Sequence, residues 1–280
     1  MLGRICRDKA DFEFFSAGES LHLSSCIEQG YLSAYCTPME NVSDMSSLSR
    51  PVSVGDVRSM FDRIAPTYDK LNSVLSLGIN RWWERRLVRN LPKSAGGLAL
   101  DVCTGTGALV PRLSAHYGGV VAVDISTEML SRGRKRCQHL PQTAWIESDA
   151  QEMPFASESF DVISVSYGVR NLPSPECGLR EMLRVCLPGG TIGVLEFGQP
   201  TNRIWNKLYQ WYSDNIIPRL GSYISGDEGA YHYLPRTAAA FPCGGQFEDL
   251  LKQTGWIPRK TISLCGGIAY IYIADKPAVE

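Results

Sequence analysis

The stretch that decides the fold is LALDVCTGTG, residues 98–107. Its first six residues form an apolar run with the character and length of a buried strand. Gly105 and Gly107 then allow the backbone to turn sharply and to pass close to a ligand, since no Cβ stands in the way. A short helix predicted over residues 108–116 would present free N–H groups at its N-terminus. The stretch therefore predicts a strand, a tight loop and a helix that together border a ligand site.

The same alternation of strands and helices continues along the chain from residue 54 onward. Further runs with the character of strands lie at residues 119–123, 143–146, 161–166, 191–197, 261–264 and 268–273. Stretches with apolar residues at helical spacing lie at residues 57–61, 80–91, 127–137, 175–187, 204–220 and 247–253. This spacing predicts a mainly parallel sheet covered by helices on both faces. The last two strands are expected to be antiparallel, because their connection is far shorter than a parallel crossover. Gly96 and Gly97 are expected to mark the boundary before the first strand.

Three carboxylates lie at the carboxyl ends of successive predicted strands, where open α/β sheets bind ligands. Asp124 is placed to accept both ribose hydroxyls of an adenosine-containing cofactor, and Asp149 to accept an amino group such as adenine N6. Asp101 can orient the glycine loop or meet a cationic group. Val110 stands where a dinucleotide fingerprint has its third glycine, which favours a cofactor without a pyrophosphate. The alternative is that Asp124 caps a helix and Asp149 forms a turn.

Composition excludes several classes of function. The 280 residues include 28 basic and 29 acidic side chains, so a net charge of −1 gives no overall field that would recruit nucleic acid. The nine cysteines include no C-x-x-C pair and the four histidines are scattered. Neither a metal site nor a disulfide framework is therefore expected, and free thiols suit a reducing cytosol. No apolar run reaches the ~20 residues that span a bilayer.

Residues 1–53 differ from the rest of the chain, since they are rich in serine and lack a hydrophobic period. They have neither the apolar region of a secretory signal nor the scarcity of acidic residues that marks a transit peptide. We interpret them as a disordered N-terminal extension, or as the result of a start site assigned too far upstream. The folded domain is predicted to cover residues 54–280.

Several segments resemble known families. The cofactor half, with LDVCTGTG at residues 100–107, Asp124-Ile125-Ser126, Asp149-Ala150 and PGG at 188–190, resembles the class I S-adenosylmethionine-dependent methyltransferases. FDRIAPTYDKLN at 61–72 and VSYGVRN at 165–171 are more specific. They resemble the UbiE/MenG family of ubiquinone and menaquinone biosynthesis C-methyltransferases. The resemblance covers about residues 54–274.

This resemblance implies an α/β, Rossmann-like class I methyltransferase fold, whose mainly parallel seven-stranded sheet ends in an antiparallel hairpin. It implies S-adenosylmethionine as the cofactor, N-terminal helices over residues 54–95 and a substrate-covering insertion over residues 198–245. The positions that match the family's cofactor contacts are Thr106, Asp124, Asp149, Ala150 and Ser166. Chemistry along the chain adds Asp101, Gly105 and Gly107 to the expected cofactor site.

The implied reaction is methylation of a ring carbon of a prenylated quinol, most directly of demethylmenaquinol to menaquinol. A ring carbon becomes nucleophilic when the neighbouring phenol loses its proton, so a group that stabilises the phenolate is expected after the fourth strand. Arg170 is assigned this role because a guanidinium stays charged in proteins. Asn171 is expected to orient the ring oxygen, and Tyr167 to pack on the ring or relay a proton. Alternatively, Arg170 and Asn171 only close a turn before Pro173, and no residue is assigned as the general base.

Other functions stay open at this point. A methyltransferase that acts on oxygen or nitrogen of another small molecule would have the same cofactor half. A non-catalytic scaffold that binds S-adenosylmethionine in a quinone-synthesis complex is a second alternative. A nucleic-acid methyltransferase is disfavoured, because SYG at residues 166–168 replaces the expected Asp/Asn-Pro-Pro-aromatic turn. The sequence does not separate the menaquinone route from the ubiquinone route.

An aromatic stripe over residues 204–220 bears on partners and location. It contains Ile204, Trp205, Leu208, Trp211 and Tyr212 at helical spacing. Such a stripe can cover the quinol ring and guide its tail, lie at a membrane surface, or face the core. We expect a cytoplasmic protein with reversible, peripheral contact at the inner face of the membrane. No nucleic-acid partner is expected, and a homodimer is one oligomeric state left open.

Overall fold

The computed structural model describes residues 53–76, 78–217, 219–220 and 237–278. The N-terminal extension expected over residues 1–53 lies outside these residues except for Ser53, as does the part of the expected insertion at 221–236. One sheet of seven strands forms the centre of the described chain. Its strands are β1 Ser94–Val102, β2 Tyr117–Asp124, β3 Thr143–Glu147, β4 Phe160–Ser166, β5 Cys186–Phe197, β6 Ile257–Leu264 and β7 Ala269–Asp275.

The strand order is β3-β2-β1-β4-β5-β7-β6. Every neighbouring pair from β3 to β5 is parallel, whereas β7 runs antiparallel to both β5 and β6. The predicted fold, a mainly parallel sheet that ends in an antiparallel hairpin, is thereby confirmed. Because β1, β2, β3 and β4 run parallel, their carboxyl ends lie at one edge of the sheet. The chain builds the sheet outward from β1 first to one side and then to the other, and a crevice forms where this order switches, between β1 and β4.

The sheet is accompanied by helices, of which eight have both ends within the described residues. They are α1 Val54–Ile64, α2 Tyr68–Leu75, α3 Asn80–Asn90, α4 Val110–Ser114, α5 Thr127–Arg136, α6 Pro175–Val185, α7 Arg203–Asn215 and α8 Gly245–Gln253. A single 3-10 turn, Val169–Asn171, follows β4. None of these helices is long and apolar enough to cross a membrane.

Side chains of the inner strands β1, β2, β4, β5 and β7 are buried on both faces of the sheet, to which successive residues of a strand point in turn. Leu100 and Val102 of β1 pack in one core cluster with residues of α6 and α8, while Ala99 packs in a second cluster with residues of α3 and α4. A third, smaller cluster joins α1 and α2 to Met129 of α5. The N-terminal helices are thus fixed to the helix that follows β2.

The structure corrects several boundaries. Gly96 and Gly97 do not precede β1 but lie inside it, where the pairing with β2 shifts between Ser94 and Leu98. A Cβ on Gly97 would lie 2.6 Å from Ser94 Oγ, so glycine permits this irregular stretch of strand.

The other corrections concern helix ends. The predicted helices over 175–187 and 204–220 end earlier, at Val185 and Asn215, and in the first case β5 begins directly afterwards at Cys186. Free thiols are found at Cys103, Cys137, Cys186, Cys243 and Cys265.

Candidate active site

The loop after β1 is held in a left-handed backbone conformation at three positions. Cys103, Gly105 and Gly107 have φ angles of 52°, 55° and 73°. A Cβ built on Gly105 would have Tyr68 Cε1 as its nearest neighbour, at 3.9 Å, so the backbone is open to the crevice there. A Cβ on Gly107 would lie 2.5 Å from Trp145 Cη2. Gly105 therefore leaves room for a ligand, whereas Gly107 allows the loop to pack on Trp145.

A cavity of about 650 Å³, open to solvent, lies beside this loop at the carboxyl ends of the first four strands. Seven of the predicted site residues line it: Gly105, Asp124, Asp149, Ala150, Ser166, Tyr167 and Asn171. Side chains of α1 and α2 line it as well: Val54, Val57, Phe61 and Tyr68. The remaining predicted residues, Asp101, Thr106, Gly107 and Arg170, do not line the cavity.

Asp124 is fixed at the end of β2 by backbone hydrogen bonds. Its Oδ2 accepts from Gly105 N at 2.7 Å, and its Oδ1 accepts from Ser126 N at 2.9 Å. Burial raises the pKa of Asp124 to about 6, although these N–H donors act in the opposite direction. The carboxylate thus reaches both the glycine loop and the cavity, and the start of α5 is tied to it.

Asp149 and its neighbours form another part of the wall. Asp149 Oδ1 accepts from Gln151 N at 2.9 Å, which fixes the turn after β3. Ala150 and Ile125 supply apolar surface next to it. Two carboxylate acceptors, an apolar slot and the uncrowded backbone at Gly105 fit an adenosine group that carries hydroxyls and an amino group.

Asp101 lies beneath the loop instead of in the cavity. It is 2% exposed and accepts from Thr104 Oγ1 and from Ser164 Oγ, both at 2.6 Å. Burial raises its pKa to about 6 against the effect of these two hydrogen bonds. Of the two roles expected from the sequence, this geometry fits the orientation of the glycine loop.

Thr106 connects three elements and is itself buried. Its Oγ1 donates to Asp69 Oδ1 at 2.6 Å and accepts from Arg136 Nη1 at 3.0 Å. Arg136 also donates to the Thr106 carbonyl and forms an ion pair with Asp69. We call this set of three residues the Asp69 latch, since it ties α2 to the glycine loop and to α5. Sequence reasoning missed Asp69 and Arg136, although Asp69 lies within the specific segment 61–72.

Arg170 follows β4 and is engaged in a buried ion pair. Its side chain is 5% exposed and pairs with Glu196, which is 1% exposed. Arg170 Nη1 also donates to the Tyr167 carbonyl at 2.8 Å, and its Cζ lies 5.1 Å from the centre of the Phe197 ring. Glu196 was missed as a site residue because it lies on β5, and only the sheet brings it next to the turn after β4.

Tyr167 and Asn171 complete the wall beyond β4. Tyr167 has a φ of 57° and stacks on Phe197 with ring centres 4.7 Å apart. Burial raises its pKa well above the ordinary value, so the hydroxyl keeps its proton. Asn171 Nδ2 donates to the Tyr167 carbonyl at 3.0 Å, which holds the 3-10 turn closed.

Three polar atoms in this turn are buried and have no hydrogen-bond partner among the described residues. They are Tyr167 Oη, Arg170 Nε and Asn171 Oδ1. Buried polar groups in native proteins are nearly always hydrogen-bonded, so such atoms indicate a bound ligand or water. Of the three residues, Tyr167 and Asn171 line the cavity, whereas Arg170 lies behind its wall.

Comparison with known proteins identifies the family. The sequence model of the ubiE/COQ5 methyltransferase family matches residues 49–276. The chain belongs to this family. A ubiquinone/menaquinone biosynthesis C-methyltransferase UbiE from Bdellovibrio bacteriovorus is 42% identical over 221 residues, which cover 77% of this chain and 94% of the relative. A demethylmenaquinone methyltransferase from Mycobacterium sp. strain KMS is 39% identical over 222 residues, with coverages of 79% and 94%.

Solved structures agree with the fold of the ubiE/COQ5 family member. A methyltransferase from Thermotoga maritima, described as a possible histamine N-methyltransferase, superimposes with a TM-score of 0.57 at 17% identity and covers 79% of this chain and 99% of its own. The [4+2]-cyclase SpnF gives a TM-score of 0.60 at 14% identity, with coverages of 80% and 96%. As a ubiE/COQ5 family member, the chain is an S-adenosylmethionine-dependent methyltransferase.

Proposed function

We propose that this enzyme methylates a ring carbon of a prenylated quinol in menaquinone or ubiquinone biosynthesis, most directly converting demethylmenaquinol to menaquinol. The observation that carries the proposal is the set of unpartnered atoms Tyr167 Oη, Arg170 Nε and Asn171 Oδ1 beside a cavity that also contains two carboxylates. The names of the curated relatives at about 40% identity support the same substrate class.

The cofactor end of the cavity is formed by residues of β1, β2 and β3. We assign Asp124 to the ribose hydroxyls and Asp149 to the adenine amino group, because an ionised carboxylate only accepts hydrogen bonds. Gly105 lets the loop backbone approach the cofactor, while Asp101 and Thr106 hold that loop from behind. When bound, S-adenosylmethionine supplies an electrophilic methyl group on a positively charged sulfur.

The quinol end is formed by the turn after β4. Tyr167 and Asn171 line the cavity, so Tyr167 Oη is a donor that can stabilise the oxygen of a phenolate and Asn171 Oδ1 can accept from a hydroxyl that keeps its proton. We assign Arg170, which lies behind this wall, to stabilising the phenolate through its positive charge. Negative charge on the phenolate oxygen makes the adjacent ring carbon nucleophilic. That carbon forms a bond to the methyl group as the bond between the methyl group and sulfur breaks, and its hydrogen leaves as a proton that passes to water. Glu196 pairs with Arg170 and fixes its position, so Arg170 acts through its charge and not as a base.

The test is methyl transfer to short-chain quinols under strong reductant, followed by mass spectrometry and NMR of the product. We expect a product with one new carbon-bound methyl group from demethylmenaquinol. A carbon-methylated product from 2-methoxy-6-prenyl-1,4-benzoquinol alone would assign the ubiquinone route, and product from both would assign both routes. An oxygen-bound methyl group would contradict the proposal. Cofactor binding without any product would also contradict it and would favour the scaffold alternative.

We also propose reversible, peripheral membrane contact on the cytoplasmic side, because a prenylated quinol is held in the bilayer by its tail. The aromatic stripe predicted over residues 204–220 supports this. None of the residues of α7 is buried, so the alternative that the stripe faces the core is wrong.

A further inference from the structure

Large apolar side chains that are exposed to solvent are concentrated on one part of the molecule. On α7, Ile204, Leu208 and Trp211 are 81%, 53% and 56% exposed. Their spacing of four and three residues places them on one face of the helix. The flank of α7 is attached to the protein, since Trp205, which is 39% exposed, donates from Nε1 to the Cys265 carbonyl at 3.0 Å. An exposed apolar stripe on a well-anchored helix is typical of an interaction surface.

A second exposed group lies where α2 ends and α3 begins. Val74, Ile79 and Trp82 are each more than a third exposed. This group adjoins α7, because Tyr212 Oη of α7 donates to the Leu75 carbonyl at 2.9 Å. Among the described residues, Ile257 is the only exposed large hydrophobic side chain that does not lie on or next to α2, α3 or α7. We call the surface formed by these six residues and by the charged residues between them the α3–α7 face.

The charge of this face is positive although the chain as a whole has a net charge of −1. On α3, Arg81, Arg85 and Arg89 are exposed, and Arg86 lies over the Trp82 ring with Cζ 5.2 Å from its centre. The one acidic residue of α3, Glu84, is buried and pairs with Arg112.

Helix α7 adds to this positive charge. Arg203 and Lys207 are exposed on it, and Asp214 is the one exposed acidic residue within Arg203–Asn215. Exposed tryptophans and aliphatic residues beside several cations are the composition of a surface that lies on an anionic bilayer. A second copy of the chain fits less well, because a symmetric contact would bring identical arginine clusters together.

We infer that the α3–α7 face docks on a bilayer that contains anionic lipids. The inference rests on the proposed function, since a prenylated quinol is what gives the enzyme a reason to bind the bilayer. Helix α2 connects the two places: Tyr68 at its start lines the cavity, and Val74 near its end lies in the face. The rise of an α-helix sets these ends roughly 10 Å apart. A quinol ring can therefore reach the cavity while its tail stays in the membrane.

The test is sedimentation of the full-length protein with vesicles of phosphatidylcholine alone or mixed with phosphatidylglycerol. We expect binding to the mixed vesicles that decreases as salt is added. The double variant Leu208→Glu/Trp211→Glu should lower this binding by more than about tenfold, because two apolar anchors are lost. Ile257→Glu is the matched control, because Ile257 is 55% exposed on β6, away from this face. The control variant should bind the vesicles as the unchanged protein does.

The charge requirement is tested separately. Arg81→Glu/Arg85→Glu should abolish the preference for phosphatidylglycerol, whereas Lys252→Glu/Arg259→Glu, which reverses two exposed basic residues elsewhere, should keep it. Wild-type-like binding of Leu208→Glu/Trp211→Glu would overturn the inference. A second result would also overturn it: the unchanged protein does not bind the vesicles, and light scattering shows that it is a dimer which Leu208→Glu/Trp211→Glu converts to a monomer.

The failure of this inference can be told apart from the failure of the proposed function. With a short-chain, water-soluble quinol, Arg81→Glu/Arg85→Glu should keep the turnover of the unchanged protein, and it should lose turnover only with long-chain quinol in mixed vesicles. If the unchanged protein shows no turnover, only the proposed function is contradicted. The docking inference is tested independently, because vesicle binding is measured without substrate. Equal loss with both quinols would overturn the docking inference.

Discussion

Tyr167 shows how a single buried atom can separate folding from catalysis. Its hydroxyl is buried and has no hydrogen-bond partner in the part of the chain that the structure describes, so the folded state gains nothing from it. We expect Tyr167→Phe to leave the free energy of unfolding unchanged or to raise it slightly. Methyl transfer should nevertheless fall by roughly 10- to 100-fold, since one donor to the phenolate is removed. Steady-state kinetics and urea denaturation test this, and a destabilised variant with unchanged kcat would contradict the proposed role.

Glu196 is expected to matter first for stability. In Glu196→Gln the buried guanidinium of Arg170 loses its counter-charge, which costs about 3 kcal/mol of unfolding free energy. Urea denaturation should show this loss. Asp249→Asn is the control, because it breaks the exposed Lys252–Asp249 pair and should cost less than about 1 kcal/mol. Similar losses in the two variants would show that the Arg170–Glu196 pair does not behave as a buried one.

The ionisation of Asp124 is expected to make the affinity for the cofactor depend on pH. Its pKa is raised to about 6 by burial, so the carboxylate is protonated as pH falls through this value. A neutral carboxyl group loses attraction for the cationic cofactor and accepts hydrogen bonds more weakly. Affinity for S-adenosylmethionine should therefore decrease below about pH 6. Near this pH, binding of the cofactor should release a proton, because the cofactor binds the ionised form of Asp124. Calorimetry in buffers of different ionisation enthalpy measures both effects. An affinity that stays constant through pH 6 would contradict the role of Asp124.

The site residues that sequence could predict are those whose role is local. Asp124 and Asp149 follow apolar strands, and the end of a parallel strand is where a ligand meets the sheet. Glu196 and Asp69 could not be assigned this way, because their partners lie on other elements. Arg170 was named for its charge, yet the structure shows that this charge is already balanced by Glu196.

At the scale of elements, the Asp69 latch holds α2 over the cavity. The Arg136 and Asp69 side chains are 38% and 44% exposed, so their ion pair contributes less than about 1 kcal/mol to global stability. Asp69→Asn should thus leave the unfolding transition almost unchanged. We expect S-adenosylmethionine to dissociate several-fold faster, because α2 and Tyr68 are less firmly held. Stopped-flow displacement measures this rate, and Arg259→Gln, in an ion pair far from α2, serves as the control.

Strands and helices could be predicted where the period of the apolar residues and the length of the segment indicate the same kind of element, as in β2, β4 and α5. Where one signal has two meanings, the prediction was wrong, as at Gly96 and Gly97, or was left open, as for the stripe on α7. Gly96 and Gly97 have the composition of a turn, but β2 pairs with Ser94 before them and with Leu98 after them, so the strand passes through. The stripe on α7 is periodic like a core-facing helix, and only the structure shows that none of its residues is buried.

At the scale of the whole molecule, α1 and α2 close the cavity that the sheet provides. Val54, Val57, Phe61 and Tyr68 line the cavity from these helices, whereas the strands form its floor. Added S-adenosylmethionine should slow amide hydrogen exchange in α1 and α2 far more than in the central strands, since the strands are already buried. Hydrogen-exchange mass spectrometry can compare them. Equal slowing everywhere would show that the cofactor acts only by global stabilisation.

The position of β7 also has a consequence for how the protein refolds. This strand pairs with β5 on one side and β6 on the other, although it follows both along the chain. Until it enters that gap, β5 has a bare edge and β6 has no partner strand at all. Bare strand edges recruit strands from other molecules, so an intermediate that lacks β7 is the species most prone to aggregate. Refolding yield should therefore depend on protein concentration during the interval before this last strand is inserted.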